Sequence, residues 1–582
     1  MDNYRFGTVD YIVLMGMTVL STGTGLYFGS VRKYQKNLEE VKVSQPAIPL
    51  DNRRTKNVGS EKIDEYLMGS RNMKVVPVAI SLIGSFVSGV TIIGMPSEIY
   101  HYGTQYFFII IGIFLQGIVI SYVYLPVYSA LQVGSAYEYL EMRFSSSVRS
   151  IASFLYIFGV VTYLPFVVFV PALCLNQVSG LNIYLIELVV IITCVIYTFM
   201  GGLKAVVHTD VWQVVVMFLS IVAVAVLAIY YSNGLVALFE DVEQGGRLIL
   251  DNTNPSPYVR HTVWSALIGG FSYFTSINAS GQHMVQRYMS LPSLKKSQKA
   301  SCLFTIGVAI FVFLSCFMGL IIFSKYKDCD PLSAGLITND DQLLPLFVVQ
   351  SVGHIYGMPG LFIAGIFGAG LSSLSSCFNT ISLVFLEDIV RGLFKMQPSA
   401  RVSTILIKTS IIFQGVLAFL LVFLLKYLRG ILGVCMSIAS ITSGTALGLF
   451  TLGMLVPWSN TIGAAVGGIS SILLAGWITF GSQIAAASGK LKSQMLPVSV
   501  EGCLGNVTSP QEHWVDQEQV FPLFRLSFHW INPIGVVTAV IVGALVSLVT
   551  KPTDIKSLRS NLISPVIHRF LPKECFRGRT QN

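Results

Sequence analysis

The apolar run over residues 75–100 is long enough to cross a bilayer as a helix, yet its middle is not built like an anchor. Between Ser81 and Glu98 it holds Gly84, Gly89 and Gly94, then Pro96, together with Ser85, Ser88 and Thr91. A helix that only holds a protein in lipid is rich in Leu, Ile and Val. Glycine weakens a helix interior and proline removes a backbone donor. Unwound backbone at membrane depth survives only where it lines a protein-buried or watery cavity. An interrupted membrane helix therefore points to a place where an ion or a small solute is held.

The rest of the chain reads as membrane protein too. Of 582 residues, 53% are hydrophobic and only 12% charged, about half the charge of a soluble domain. The first apolar run, 11–29, is too long for a signal-peptide core and lacks a small-residue cleavage site. Runs of about 20 apolar residues predict thirteen spans, at 9–30, 75–100, 104–130, 150–175, 182–200, 211–232, 262–282, 300–323, 358–386, 405–425, 430–455, 459–481 and 527–550. The expected class is all-α, a polytopic membrane protein.

With the N-terminus outside, the inside segments hold 28 of the 38 Lys and Arg and the outside loops hold 10. That bias predicts an extracellular N-terminus and a cytoplasmic C-terminus. The organisation that follows is a first span within 1–30 and a cytoplasmic loop 31–74, unpatterned up to about Gly59. A ten-helix core over 75–455 comes next, in halves 75–232 and 262–455. Two C-terminal spans within 456–550 enclose an extracellular loop 482–526, and a basic tail covers 551–582. The net charge of +9 reads as a topology signal, since the cations are spread over loops. Nucleic acid is excluded as a partner, no obligate protein partner is evident, and the bilayer is the surrounding medium. Cys329 and Cys503 fall in outside loops, where a disulfide can form. Asn506-Val507-Thr508 is a glycosylation sequon in an outside loop. No Cys/His spacing suggests a metal centre, and no nucleophile–base set or phosphate loop suggests an enzyme.

The span at 262–282 repeats the oddity of the span at 75–100, five spans later. Gly269 and Gly270 lead into Ser276, Asn278, Ser280, Gly281 and Gln282. Two broken helices at matching places in two five-span halves are what an inverted repeat predicts; close packing of small residues is the other reading. The span at 358–386 carries Ser372, Ser373, Ser375 and Ser376. Hydroxyls and freed carbonyls are hard oxygen donors suited to a small dehydrated cation such as sodium, although serines also hydrogen-bond between helices. Between the fifth and sixth spans, Gly201-Gly202 can end one helix and Thr209 or Asp210 can cap the next. His208 reads as an exposed loop residue.

Gly201-Gly202-Leu203-Lys204-Ala205-Val206 with Thr209-Asp210 and Gln213, Gln282 with Val285-Gln286-Arg287, and the serine-rich span together resemble the sodium/solute symporter family. The resemblance covers roughly residues 60–550. Pro96 to Tyr100, Ser135 to Phe144, Ala172 to Gly180 and Asp328 to Pro331 look like its branch of monocarboxylate, multivitamin and iodide transporters. The resemblance implies a LeuT-type fold with a five-plus-five inverted repeat. It implies a co-transported sodium ion held by the carbonyls of Gly84 and Val87, by Ala369, and by the hydroxyls of Ser372 and Ser373. Phe86, Thr91 and Gln282 are the candidate substrate-pocket residues.

Sugar carriers of the family have a Glu-Gln pair where Val90 and Thr91 stand, and Asn where Gly281 stands. A sugar would find its hydroxyls unpaired here. Iodide carriers have Gln at the Thr91 position, and monocarboxylate carriers often have Thr. The implied activity is sodium-coupled import of a small organic anion, a monocarboxylate first, with a vitamin such as biotin or pantothenate, or iodide, as alternatives. The implied location is the plasma membrane. Relatives also have Tyr near Phe169, where a second sodium can be held; the missing hydroxyl leaves the number of ions open. That change and Gly281 keep a second class in view, a transporter-like sensor or ion conductor without coupled uptake.

Overall fold

The computed structural model describes residues 6–43, 71–231, 234–425, 431–492, 494–503, 507 and 517–571. All regular structure among them is helical, as a chain must be when its backbone polar groups can find no water in lipid. Asn506, residues 44–70 of the 31–74 loop and residues 572–582 of the basic tail lie outside the described residues.

Helix α1 (Thr8–Val43) continues well past its apolar part, so residues 31–43 are helical rather than unpatterned. Helices α2 (Val75–Phe86) and α3 (Gly89–Tyr102) are two arms of one span, bent by 58°. Next come α4 (Thr104–Leu131), α5 (Glu138–Arg143) and α6 (Ser146–Ser179). Helix α6 opens on a Ser145 cap and closes on Gly180, whose φ of 71° is the left-handed stop that glycine supplies. Helix α7 (Ile183–Tyr231) and the short α8 (Gly234–Gln244) follow. The second broken span is α9 (Gly270–Ser280) with α10 (Gln282–Met289). The remainder are α11 (Leu294–Tyr326), α12 (Leu343–Val352), α13 (Met358–Leu393), α14 (Ala400–Leu425), α15 (Ile431–Leu455), α16 (Thr461–Ala487) and α17 (Ile531–Val549).

Among the described residues ten single helices are long and apolar enough to cross a membrane, eleven when α2 and α3 count as one span. The thirteen expected spans are not all separate elements. Residues 182–200 and 211–232 run on from one another as α7, two helices that meet at a non-helical Gly202, where φ is 63°. Residues 263–280 are helical and end at the break at Gly281, and this stretch is not among the helices long and apolar enough to cross a membrane.

Helix α13 forms the centre. Its apolar stretch is 94% buried, against 33% for α14 at the periphery. Small residues make this possible: a Cβ at Gly370 would stand 2.7 Å from the Pro171 ring, so α13 lies directly on α6. Facing α13 across the core are α2, α6 and α7. Serines on a fully buried helix must find internal partners, and those partners define the site.

At one end of the bundle Glu98 of α3 is paired with Arg260 and accepts a hydrogen bond from His261 at 2.7 Å. Cys329 and Cys503 are joined there, their Cα atoms 4.9 Å apart. Asp341, in the connection before α12, is buried and accepts from the Ile431 backbone N–H at 3.4 Å. Burial pushes its carboxyl up to about 7. The folded protein then holds a proton that the unfolded chain releases near the ordinary carboxylate value of about 4. Stability from this group is therefore greatest below about pH 4 and declines as pH rises towards 7. Asp341→Asn should flatten that part of a thermal-stability profile; an unchanged profile would show that Asp341 is not its source.

Candidate functional site

The break between α2 and α3 is made by Val87 and Ser88, both extended, with ψ of 106° and 173°. Ser88 can no longer offer its N–H to the carbonyl four residues back, so the Gly84 carbonyl is released from the helix ladder. Its partner is Ser373 of α13, whose hydroxyl donates at 3.4 Å. A Cβ at Gly84 would lie 2.6 Å from Ser372 Oγ and 2.7 Å from Val214 Cγ2, so only glycine allows α2 and α13 this close. Ala369 is buried one helical turn before Ser372 and Ser373. The five expected sodium residues thus divide between the end of α2 and the facing stretch of α13, and the structure brings Gly84 to the two serines.

Gly84→Ala should weaken sodium, since overpacking of this size costs about 1–3 kcal/mol, or about fivefold to a hundredfold in the sodium concentration for half-maximal uptake. An unchanged half-maximal concentration would place the ion elsewhere.

A buried polar network backs the site. Asp210 accepts from Ser372 at 2.6 Å, from Ser81 at 2.5 Å and from Arg287 at 3.3 Å. Arg287 also donates to Ser81 at 2.8 Å and to Ser376 at 2.6 Å, and Ser376 lies 2.8 Å from Ser85. Arg287 and Asp210 are both fully buried. Asp210 lies inside α7 and caps no helix, contrary to the sequence expectation; its carboxylate ties α2, α7, α10 and α13 together. His208 is used locally, its ring 2.7 Å from the Lys204 carbonyl one turn back.

Beside this network is a cavity of about 150 Å³. Phe86, Thr91 and Val90 line it from the first broken span, Ser276, Ser280 and Gly281 from the second. Phe86 faces Phe274 at 4.9 Å between ring centres. Tyr137, Tyr156, Tyr163 and Tyr273 add hydroxyls, and α15 adds Thr442 and Ser443. None of the described lining residues is Lys, Arg, Asp or Glu. Phe86 and Thr91, two of the three expected substrate residues, line this cavity.

Gln282 does not. It is fully buried, its Oε1 accepts from the Ala136 N–H at 2.7 Å, and its Nε2 donates to the Gly134 carbonyl at 3.3 Å. Its amide braces the segment before α5, and Gln282 is absent from the cavity lining, where the sequence had placed it as a substrate contact. The neighbouring His283 lines the cavity instead. The motif Gln282-Val285-Gln286-Arg287 leaves that position open, and its one sequence signal is a titratable residue two positions after a helix break.

Two broken helices, with oxygen donors from a third helix at one break and a cavity between them, have the build of a secondary transporter. The chain belongs to the sodium:solute symporter family, whose family model matches residues 66–471. It is 32% identical over 559 residues to sodium-coupled monocarboxylate transporter 1 of Homo sapiens, covering 93% of this chain and 87% of that protein. It is also 32% identical over 578 residues to the sodium-dependent multivitamin transporter of Oryctolagus cuniculus, covering 97% and 86%. Its fold matches a solved sodium-coupled sialic acid symporter in a substrate-bound outward-open state. The TM-score is 0.72 at 24% identity, over 94% of this chain and all of that one.

Proposed function

We propose that this chain is a plasma-membrane symporter, N-terminus outside and C-terminus inside, that uses the sodium gradient to import a small organic anion, most of all a monocarboxylate. The observation that carries the reading is the released Gly84 carbonyl facing Ser373, with Ser372 alongside, next to a cavity without fixed charge. Uncharged oxygens can strip water from sodium without trapping it. Each sodium moved through about 100 mV supplies roughly 2.3 kcal/mol electrically.

Cavity size favours a small cargo. An apolar cavity of about 150 Å³ holds a molecule about as large as benzene, hence a carboxylic acid of about six heavy atoms. A vitamin of two or three times that size would need the cavity to open. The anion's charge is met by the positive N-terminal ends of α3 and α10 and by the bound sodium. The named relatives at 32% identity support the same cargo class.

The test is uptake into cells or proteoliposomes of lactate, butyrate, nicotinate, biotin, pantothenate and iodide, in sodium and in choline. Sodium-dependent accumulation of lactate or butyrate is expected. Equal uptake in both media would end the symporter reading. A sodium current with no accumulated solute would favour a conductor or sensor.

A further inference from the structure

His283 is the one histidine among the described residues that line the cavity, which include no Lys or Arg. It is the second residue of α10, directly after the break at Gly281. Its hydrogen bonds establish which ring nitrogen carries the proton. The Thr380 hydroxyl donates to the Ser376 carbonyl at 2.8 Å, so its proton is committed. The 2.9 Å contact between Tyr156 and Thr380 must then use the Tyr156 proton. Tyr156 is left as acceptor towards His283, taking its backbone N–H at 3.3 Å and its Nδ1 at 3.3 Å. Nδ1 is therefore the protonated nitrogen. Nε2 has no partner among the described residues, and in the neutral ring it is a bare acceptor.

A bare acceptor repels a carboxylate. The same atom with a proton becomes a charged donor, and charge-assisted hydrogen bonds are about twice as strong as neutral ones. We propose that His283 anchors the anion, and does so only as imidazolium: a carboxylate enters the cavity together with one proton from solution, which is held on Nε2 between ring and ligand. The inference rests on the carboxylate reading above and adds a proton to the binding step.

The surroundings supply no competing base. Arg287, one turn on, donates to the His283 carbonyl at 2.8 Å and is paired with Asp210 of α7 at 3.3 Å. From α6 comes Tyr156, from α13 Thr380 and Cys377, and from the segment before α5 Tyr137. From α2 and α15 the facing groups are hydroxyls, those of Ser85, Thr442 and Ser443 among them, and the thiol of Cys435. A proton brought with the anion therefore stays at Nε2.

The experiment is the sodium-dependent component of butyrate uptake between pH 6 and 8, where butyrate is ionised, in wild type, His283→Gln and His283→Ala. In wild type the KM should fall about tenfold for each unit of acidification while Nε2 is bare in the empty cavity. His283→Gln keeps a polar group of similar reach and should transport with a KM that no longer follows pH. Binding of the neutral acid itself would give a slope that survives His283→Gln, and that result overturns the proposal. So does a flat wild-type profile, which needs no variant and leaves the symporter reading intact. Absence of sodium-dependent uptake for every carboxylate tested would instead remove both.

Discussion

Replacing Ser372 and Ser373 together by Ala should abolish sodium-dependent uptake while leaving the protein in the membrane. Each hydroxyl lost from a charged partner costs about 1.5–3 kcal/mol, so the pair weakens sodium by more than about a hundredfold. The two serines act differently. Ser373 meets the released Gly84 carbonyl at 3.4 Å, and Ser372 hands its proton to Asp210 at 2.6 Å. A hydroxyl whose proton is held by a carboxylate keeps its lone pairs free for a cation. Ser373→Ala alone should raise the half-maximal sodium concentration, and Ser372→Ala alone should do so while also removing one of the hydroxyls that donate to Asp210. Uptake in the double variant with unchanged sodium dependence would exclude this place as the ion site.

Arg287→Met should be the most destabilising single change in the core. Both members of the Arg287–Asp210 pair are fully buried. Removing one partner of a buried pair strands the other charge, at a cost of about 3–5 kcal/mol. Asp210 would keep Ser81 and Ser372 as donors, so the loss is bounded by what two hydroxyls can offer a carboxylate. Adding Asp210→Asn to Arg287→Met removes the stranded charge and should recover most of the thermal stability measured in detergent. A single variant as stable as wild type would mean that Asp210 is already neutral. Recovery of stability without recovery of uptake would show that the pair serves transport beyond holding α2, α7, α10 and α13 together.

The parts of this site that were legible in the sequence are those carried by local chemistry. Glycines and serines inside a membrane-length apolar run announce a break, and the break lies at Val87 and Ser88, where Gly84 and Gly89 flank it. Four serines within five residues announce a polar face on an otherwise apolar helix, and that helix is the most buried of the candidate spans. What was not legible depends on partners far along the chain. Asp210 beside Gly201-Gly202 reads as a cap because local spacing offers that role; its actual donors are 129, 162 and 77 residues away. Gln282 reads as a ligand residue for the same reason, and only the approach of residues 134–136 turns its amide aside. Gly202 reads as a helix end, and its non-helical backbone does part the two arms that run on from one another as α7. His283 carries no sequence signal except its closeness to Gly281.

The most direct measurement of the sodium site is the thermal stability of the purified protein titrated with sodium chloride, with choline chloride held to constant ionic strength. A saturable rise in melting temperature is expected in wild type, since an ion present at a hundred times its Kd stabilises by about 2.7 kcal/mol. The same titration should be flat when Ser372 and Ser373 are both Ala. A rise of equal size and midpoint in both proteins would contradict a sodium ion held between the broken end of α2 and the serines of α13.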